Sequence, residues 1–138
     1  MNTIVDFQHA NNTTLTQVRT RFEEEYGVMS YYMNPEPRPC FNKTCMSELY
    51  QSQSNLEAMH GEVFVSGKLN QANYLVLASD VPGIFNLGGD LSVFGELIRS
   101  KARDHLFNYA KLCVNNVWTF YNMQAPVTTI SLVQGQAM

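Results

Sequence analysis

Between Thr14 and Glu23 the apolar residues Leu15, Val18 and Phe22 are set among polar ones, and the run from Tyr26 to Met33 is rich in aromatic and branched side chains. Both stretches predict strands, antiparallel to each other and joined through Glu23 to Gly27. The next segment, "NPEPRPCF", holds three prolines in five residues. Prolines remove backbone donors and disfavour both helix and central strand, so an extended loop beside a site is expected. Met46, Leu49, Tyr50, Leu56 and Met59 then recur at near-helical spacing until Gly61, which predicts an amphipathic helix.

"NYLVLASD", Asn73 to Asp80, is a short apolar run between polar residues, the pattern of a strand covered on both faces. A glycine segment follows, and Asp90 to Arg99 reads as a short helix. After Ser100, the residues Ala102, Leu106, Tyr109, Ala110, Cys113, Val117 and Tyr121 trace one face of a longer helix. Beyond Pro126, "VTTISLVQG" is another branched strand run closed by glycine. Strand, glycine turn, helices and strand in this order predict a crossover unit with a parallel sheet, hence an α/β fold. No repeat or linker divides residues 1–138, which reads as one folding unit.

Composition narrows the function. With 45% hydrophobic residues the chain folds, and nine Lys plus Arg against twelve Asp plus Glu supply no basic field. Nucleic acid is therefore not an expected partner. Cys40, Cys45 and Cys113 lack the paired spacing of a zinc site, and the first residues carry no basic segment followed by an apolar core. A reduced, cytoplasmic setting is expected, in which the sequons at Asn12 and Asn42 carry no weight. No apolar run is long enough for a membrane span.

The stretch "IFNLGGDLSVF", Ile84 to Phe94, raises the chemical question. A glycine pair between a strand and a helix lets the chain turn where side chains would clash, and exposes the first unpaired N–H groups of the helix. Such donors stabilise the oxyanion or enolate that forms when a thioester carbonyl is attacked or its neighbouring carbon loses a proton. A tight turn with Asp90 as helix cap accounts for the same residues without chemistry. The glycine spacing is neither a dinucleotide fingerprint nor a P-loop.

The runs "VLASDVPGIFNLGGDLSVFGELIRS", "YAKLCVNNV" and "ISLVQGQAM" resemble the crotonase (enoyl-CoA hydratase/isomerase) superfamily, and within it the diffusible-signal-factor synthases. The resemblance implies the N-terminal portion of a crotonase-like superhelix of ββα turns, assembled as a trimer or hexamer. It implies binding of fatty acyl thioesters carried on coenzyme A or acyl carrier protein, with no metal or redox cofactor. By position in the motif, Gly89 would supply the first oxyanion-hole N–H, with Gly88 its neighbour in the turn, Leu87 beside the substrate and Asp90 structural. In the signal-synthase branch the family dehydrates a 3-hydroxyacyl carrier-protein thioester to a cis-2-enoyl chain and then hydrolyses it, using glutamates as acid and base.

The family's next motif, of the type Gly-x-Ala-x-Gly-Gly-Gly and followed by a catalytic glutamate, only begins here at Gly135-Gln136-Ala137-Met138. The second donor and both glutamates are absent from this chain, so weak catalysis is expected. An uncovered apolar face or sheet edge, leading to association or poor solubility, is expected as well. The acids present, Glu23 to Glu25, Glu48, Glu57 and Glu96, read as solvated surface. His9, His60 and His105 have no metal-binding spacing, and Cys113 reads as core.

Trp118, Phe120, Tyr121 and Met123 are candidates for the wall of an acyl pocket, with ordinary helix packing as the alternative. Arg38 is a candidate contact for a carrier phosphate. Besides the signal-synthase reading, the same residues admit a generic enoyl-CoA hydratase or a non-catalytic module that binds acyl thioesters or caps an assembly.

Overall fold

The computed structural model describes residues 4–6 and 14–138. His9 and the sequon residues Asn12 and Thr13 lie outside the described residues. Strands β1 (Ile4–Asp6), β2 (Val18–Glu23) and β3 (Val28–Met33) are followed by helix α1 (Lys43–Ala58). A hairpin of β4 (Glu62–Val65) and β5 (Lys68–Gln71) leads to β6 (Tyr74–Ser79) and β7 (Ile84–Asn86). Helices α2 (Leu91–Arg99) and α3 (Arg103–Tyr121) precede β8 (Thr128–Ser131) and β9 (Gln136–Ala137).

The main sheet has the order β1-β2-β3-β6-β8. β2 and β3 are antiparallel with Val18 opposite Met33, as their alternation predicts, and β6 lies parallel to both β3 and β8. Leu75 and Ala78, on opposite faces of β6, are both buried. Phe22, Met29, Tyr31 and Met33 from the sheet pack with Cys45, Leu49 and Leu56 of α1 and with Val63 and Val65 of the hairpin. Among the described residues β8 pairs only with β6, leaving a sheet edge at which Ile130, and Leu132 and Val133 just beyond the strand, are exposed.

Helix α1 starts where the Asn42 side chain accepts the Cys45 N–H at 2.9 Å, a side-chain cap for an otherwise orphan donor. It ends where Gly61, at φ 82°, donates its N–H to Leu56 O, the left-handed exit that glycine allows. The polar side of α1 is not simply solvated surface. Glu48 accepts hydrogen bonds from the N–H groups of Thr16, Gln17 and Val18, each at 2.9 Å, and from the Thr16 hydroxyl at 2.8 Å. Glu57 accepts the Gln124 N–H at 2.7 Å. These acids satisfy backbone donors of other segments, which corrects their reading as free surface charges.

The β4–β5 hairpin adds an antiparallel pair to the strands that the sequence pattern predicts. Its turn is Ser66-Gly67, both residues left-handed at φ 52° and 79°, as a two-residue turn matched to strand twist requires. Val63 and Val65 face inward while Phe64 and Leu69 are exposed.

The face of α3 also differs from its periodicity. Ala102, Leu106, Tyr109 and Cys113 turn inward as expected, but the seam continues through Asn116 and Phe120, while Ala110, Val117 and Tyr121 are exposed. Asn116 can occupy the buried position because its side-chain amide donates to Met46 O at 2.9 Å and Leu112 O at 3.0 Å, and its carbonyl accepts from Gln53 at 3.4 Å. A buried amide with its hydrogen bonds made is tolerated where an unpaired one is not.

Candidate functional site: the glycine turn

β7 delivers the chain into Leu87-Gly88-Gly89-Asp90, and the proline-rich loop runs alongside. Leu87 N–H donates to Pro39 O and Phe41 N–H to Gly88 O, each at 2.8 Å, and Phe41 bridges Gly89 in parallel. The loop thus reaches the turn as expected, forming a short ladder with it. Gly88 sits at φ 79°, a conformation that favours glycine, and a side chain there would begin 3.3 Å from Met138 O.

The donors of the turn are unequally committed. Gly88 N–H is held by the Asn86 side-chain oxygen at 2.7 Å, and Asp90 N–H donates to the Tyr109 hydroxyl at 3.0 Å. That hydroxyl in turn donates to Phe41 O. Among the described residues, Gly89 N–H donates to nothing. Of the two glycines singled out from the sequence, Gly89 therefore keeps a donor to offer, whereas that of Gly88 is engaged. Both glycines are half-buried, so a ligand can approach.

Asp90 caps α2, accepting the N–H groups of Ser92 at 3.0 Å and Val93 at 3.4 Å. Arg38 donates to its second oxygen at 2.6 Å. The hydrogen bond from Arg38 holds the Asp90 carboxyl below the usual carboxylate range, helped by the helix N–H groups and opposed by burial. Asp90 is thus an ionised structural acid. Arg38, a candidate phosphate contact by sequence, is half-exposed and spends one guanidinium nitrogen on Asp90.

Tyr109 is buried and meets Phe94 edge to face with centroids 5.0 Å apart; burial, the leading cause, pushes its phenol pKa up. The sequence placed Tyr109 on the inner face of α3 but carried no sign of its two backbone contacts. Asn86 is 2% exposed, and its amide nitrogen has no hydrogen-bond partner among the described residues.

The candidate acyl wall separates into two parts. Met123 and Phe120 pack against the core, while Trp118 and Tyr121 are exposed and line an open apolar groove of about 350 Å³ with Cys113, Val114 and Val117. Leu87 is half-buried in the turn itself. Cys113 is half-buried against Met46 Sδ, with its thiol pKa pushed up by burial, in keeping with packing. His60 and His105 are both exposed. Among the described residues no three His, Cys, Asp or Glu side chains gather into a metal-binding group, and no helix is long and apolar enough to cross a membrane.

No protein-family model and no curated protein matches the chain. Solved structures do. An enoyl-CoA hydratase from Geobacillus kaustophilus superposes with a TM-score of 0.67 at 14% identity, over 96% of this chain and 41% of that one. DspI from Pseudomonas aeruginosa gives 0.66 at 18% identity, over 94% and 43%. A polyketide-biosynthesis enoyl-CoA hydratase from Bacillus subtilis gives 0.55 at 20%, over 90% and 43%. The fold is the crotonase fold. The chain spans about two-fifths of the length of these solved structures and corresponds to the N-terminal portion of the crotonase fold. At these identities the likeness establishes the fold alone.

Proposed function

We propose that the turn from Leu87 to Asp90 holds the carbonyl oxygen of a fatty acyl thioester, with Gly89 N–H as its donor. The observation that carries this reading is that Gly89 N–H is unspent while Leu87, Gly88 and Asp90 all have their N–H groups bonded. A donor held by a rigid neighbourhood needs no reorganisation when charge develops on a carbonyl oxygen, which is how backbone amides lower the barrier to enolate and tetrahedral intermediates.

On this reading the chain is the N-terminal part of an enzyme of enoyl-CoA hydratase/isomerase type. The resemblance of Ile84 to Phe94 to the signal synthases supports a specific reaction. The C2 proton and C3 hydroxyl of a 3-hydroxyacyl carrier-protein thioester leave as water, giving a cis-2-enoyl thioester. A second water then cleaves the C–S bond, releasing the fatty acid and the carrier thiol. Asp90 is fully engaged by Arg38 and the α2 N-terminus, so the proton-transferring carboxylates lie elsewhere than the turn.

The test is an amide NMR titration of the ¹⁵N-labelled chain with S-hexanoyl-N-acetylcysteamine. The Gly89 amide is expected to shift while that of Gly88 stays, and Gly89→Pro, which has no N–H, should abolish binding. A Gly89 resonance that does not respond sinks the proposal. In an active, longer chain, faster turnover of carrier-protein than coenzyme A thioesters favours the signal-synthase reaction over a generic hydratase.

The engagement of Asp90 also favours a second reading, a module that binds acyl thioesters without turning them over. Dehydration or hydrolysis by the 138-residue chain would exclude it.

A further inference from the structure

Asn86 is the last residue of β7 and stands two residues before Gly88. Its side-chain oxygen accepts the Gly88 N–H at 2.7 Å, a bond that Asn, Asp, Ser and Thr side chains can all make to the backbone two residues on. Asn86 is 2% exposed, and its amide nitrogen is closed off from solvent with no hydrogen-bond partner among the described residues. That nitrogen carries a desolvation cost with no bond to offset it. A serine hydroxyl would accept the same N–H and bury less polar surface. The need of the turn for an acceptor therefore does not by itself account for an amide at this position.

What distinguishes the amide is a firm acceptor without a charge. Gly88 and Gly89 present consecutive N–H groups, and an acyl oxygen free to bond either would not be held in one place. The amide oxygen engages Gly88 more firmly than a hydroxyl does, which leaves the N–H of Gly89 as the unspent donor of the turn. A carboxylate would hold Gly88 more strongly still. It would also bury a full negative charge beside the oxygen that Gly89 receives, opposing the charge that develops there.

We infer that Asn86 is a positioning residue of the glycine turn: by taking up the Gly88 N–H with an uncharged acceptor, it directs an acyl carbonyl oxygen to the Gly89 N–H alone. The inference rests on the thioester reading of the turn and adds to it the residue that selects the donor. Asn86 acts through Gly88 and does not itself meet the acyl group, since its side chain is buried.

The experiment compares the wild-type chain with Asn86→Asp and Asn86→Ala by ¹⁵N amide NMR, with S-hexanoyl-N-acetylcysteamine as the probe at pH 8 and pH 5. In the wild type without probe, the Gly88 amide should exchange with solvent at least about tenfold more slowly than that of Gly89. Asn86→Asp keeps the acceptor, so Gly88 stays protected, but the probe should bind at least about tenfold more weakly at pH 8. Burial raises the pKa of a carboxyl, so the deficit relative to wild type should shrink at pH 5 as the new carboxyl gains its proton. Across this range Asp90 stays ionised while Arg38, Cys40 and Tyr109 keep their protons. Reading each variant against wild type at the same pH cancels titration elsewhere, as at exposed His105. Asn86→Ala releases the Gly88 N–H, whose resonance should then shift with that of Gly89.

A wild-type Gly89 that ignores the probe overturns the thioester reading and this inference with it. With a responsive Gly89, the inference alone is overturned if Gly88 and Gly89 exchange equally fast, a comparison that needs neither variant to fold. It is overturned as well if Asn86→Asp binds as wild type does, if its deficit is the same at both pH values, or if Gly88 stays silent in Asn86→Ala.

Discussion

The Tyr109 hydroxyl donates to the carbonyl of Phe41, linking α3 to the proline-rich loop, while it accepts the N–H of Asp90 from the glycine turn. One phenol oxygen therefore sets the spacing of three segments that sequence separates widely. Tyr109→Phe leaves a carbonyl and an N–H of this part-buried site unbonded. We expect a loss of about 1–2 kcal/mol, seen as a melting temperature lower by roughly 3–6 °C, and weaker S-hexanoyl-N-acetylcysteamine binding. Unchanged stability and binding would refute this role.

Asp90 combines a cap and an ion pair, and two substitutions separate them. Asp90→Asn keeps an oxygen for the Ser92 and Val93 N–H groups but loses the charge that meets Arg38, while Asp90→Ala loses both, at about 1 kcal/mol for the cap. The folded carboxyl titrates below its unfolded value, so its stabilisation is present at neutral pH and is lost as the pH falls. Melting curves should show the wild-type advantage over Asp90→Asn at pH 7 shrinking below about pH 4, where an unfolded aspartate begins to protonate. Salt should reduce it too, since Arg38 is half-exposed. An advantage that grows on acidification would contradict the assignment.

Glu48 closes four donors at the start of β2. Glu48→Ala should cost about 2 kcal/mol, the usual scale for hydrogen bonds to a charged group. Amide exchange should accelerate selectively at Thr16, Gln17 and Val18. Uniform acceleration across the sheet would mean that the carboxylate acts on global stability and not on this junction.

Burial, with a smaller contribution from Glu48, pushes the Cys45 thiol up to about 12. At pH 8 iodoacetamide should therefore modify half-buried Cys40 long before Cys45, since the thiolate is the nucleophile. Cys45 should label at the rate of unfolding. Early labelling of Cys45, read by peptide mass, would contradict its place in the core.

What the sequence revealed depended on whether a residue's neighbours were local. Alternation from Val18 to Met33 and the apolar run of β6 reported their own burial, and the order strand, glycine turn, helices, strand pointed to the parallel crossover from β6 to β8. The Ser66-Gly67 turn, with both residues left-handed, is a hairpin signal local to the sequence. Asn116 was illegible, because a polar residue earns an inward position only through partners such as Met46, 70 residues away. The same holds for Arg38 with Asp90, 52 apart, and for the Tyr109 hydroxyl with Phe41, 68 apart. In the site, Gly89 could be picked from the motif, but the engagement of Gly88 by Asn86 required the folded turn.

The backbone of Met138 borders the glycine turn while its side chain is exposed. Met138 donates its N–H to Asn86 O at 3.1 Å, and its carbonyl lies 3.3 Å from where a Gly88 side chain would begin. At the hairpin tip an added side-chain carbon on Gly67 would meet nothing within 4 Å, but its φ of 79° disfavours any side chain, so a label there belongs on the exposed neighbour Lys68.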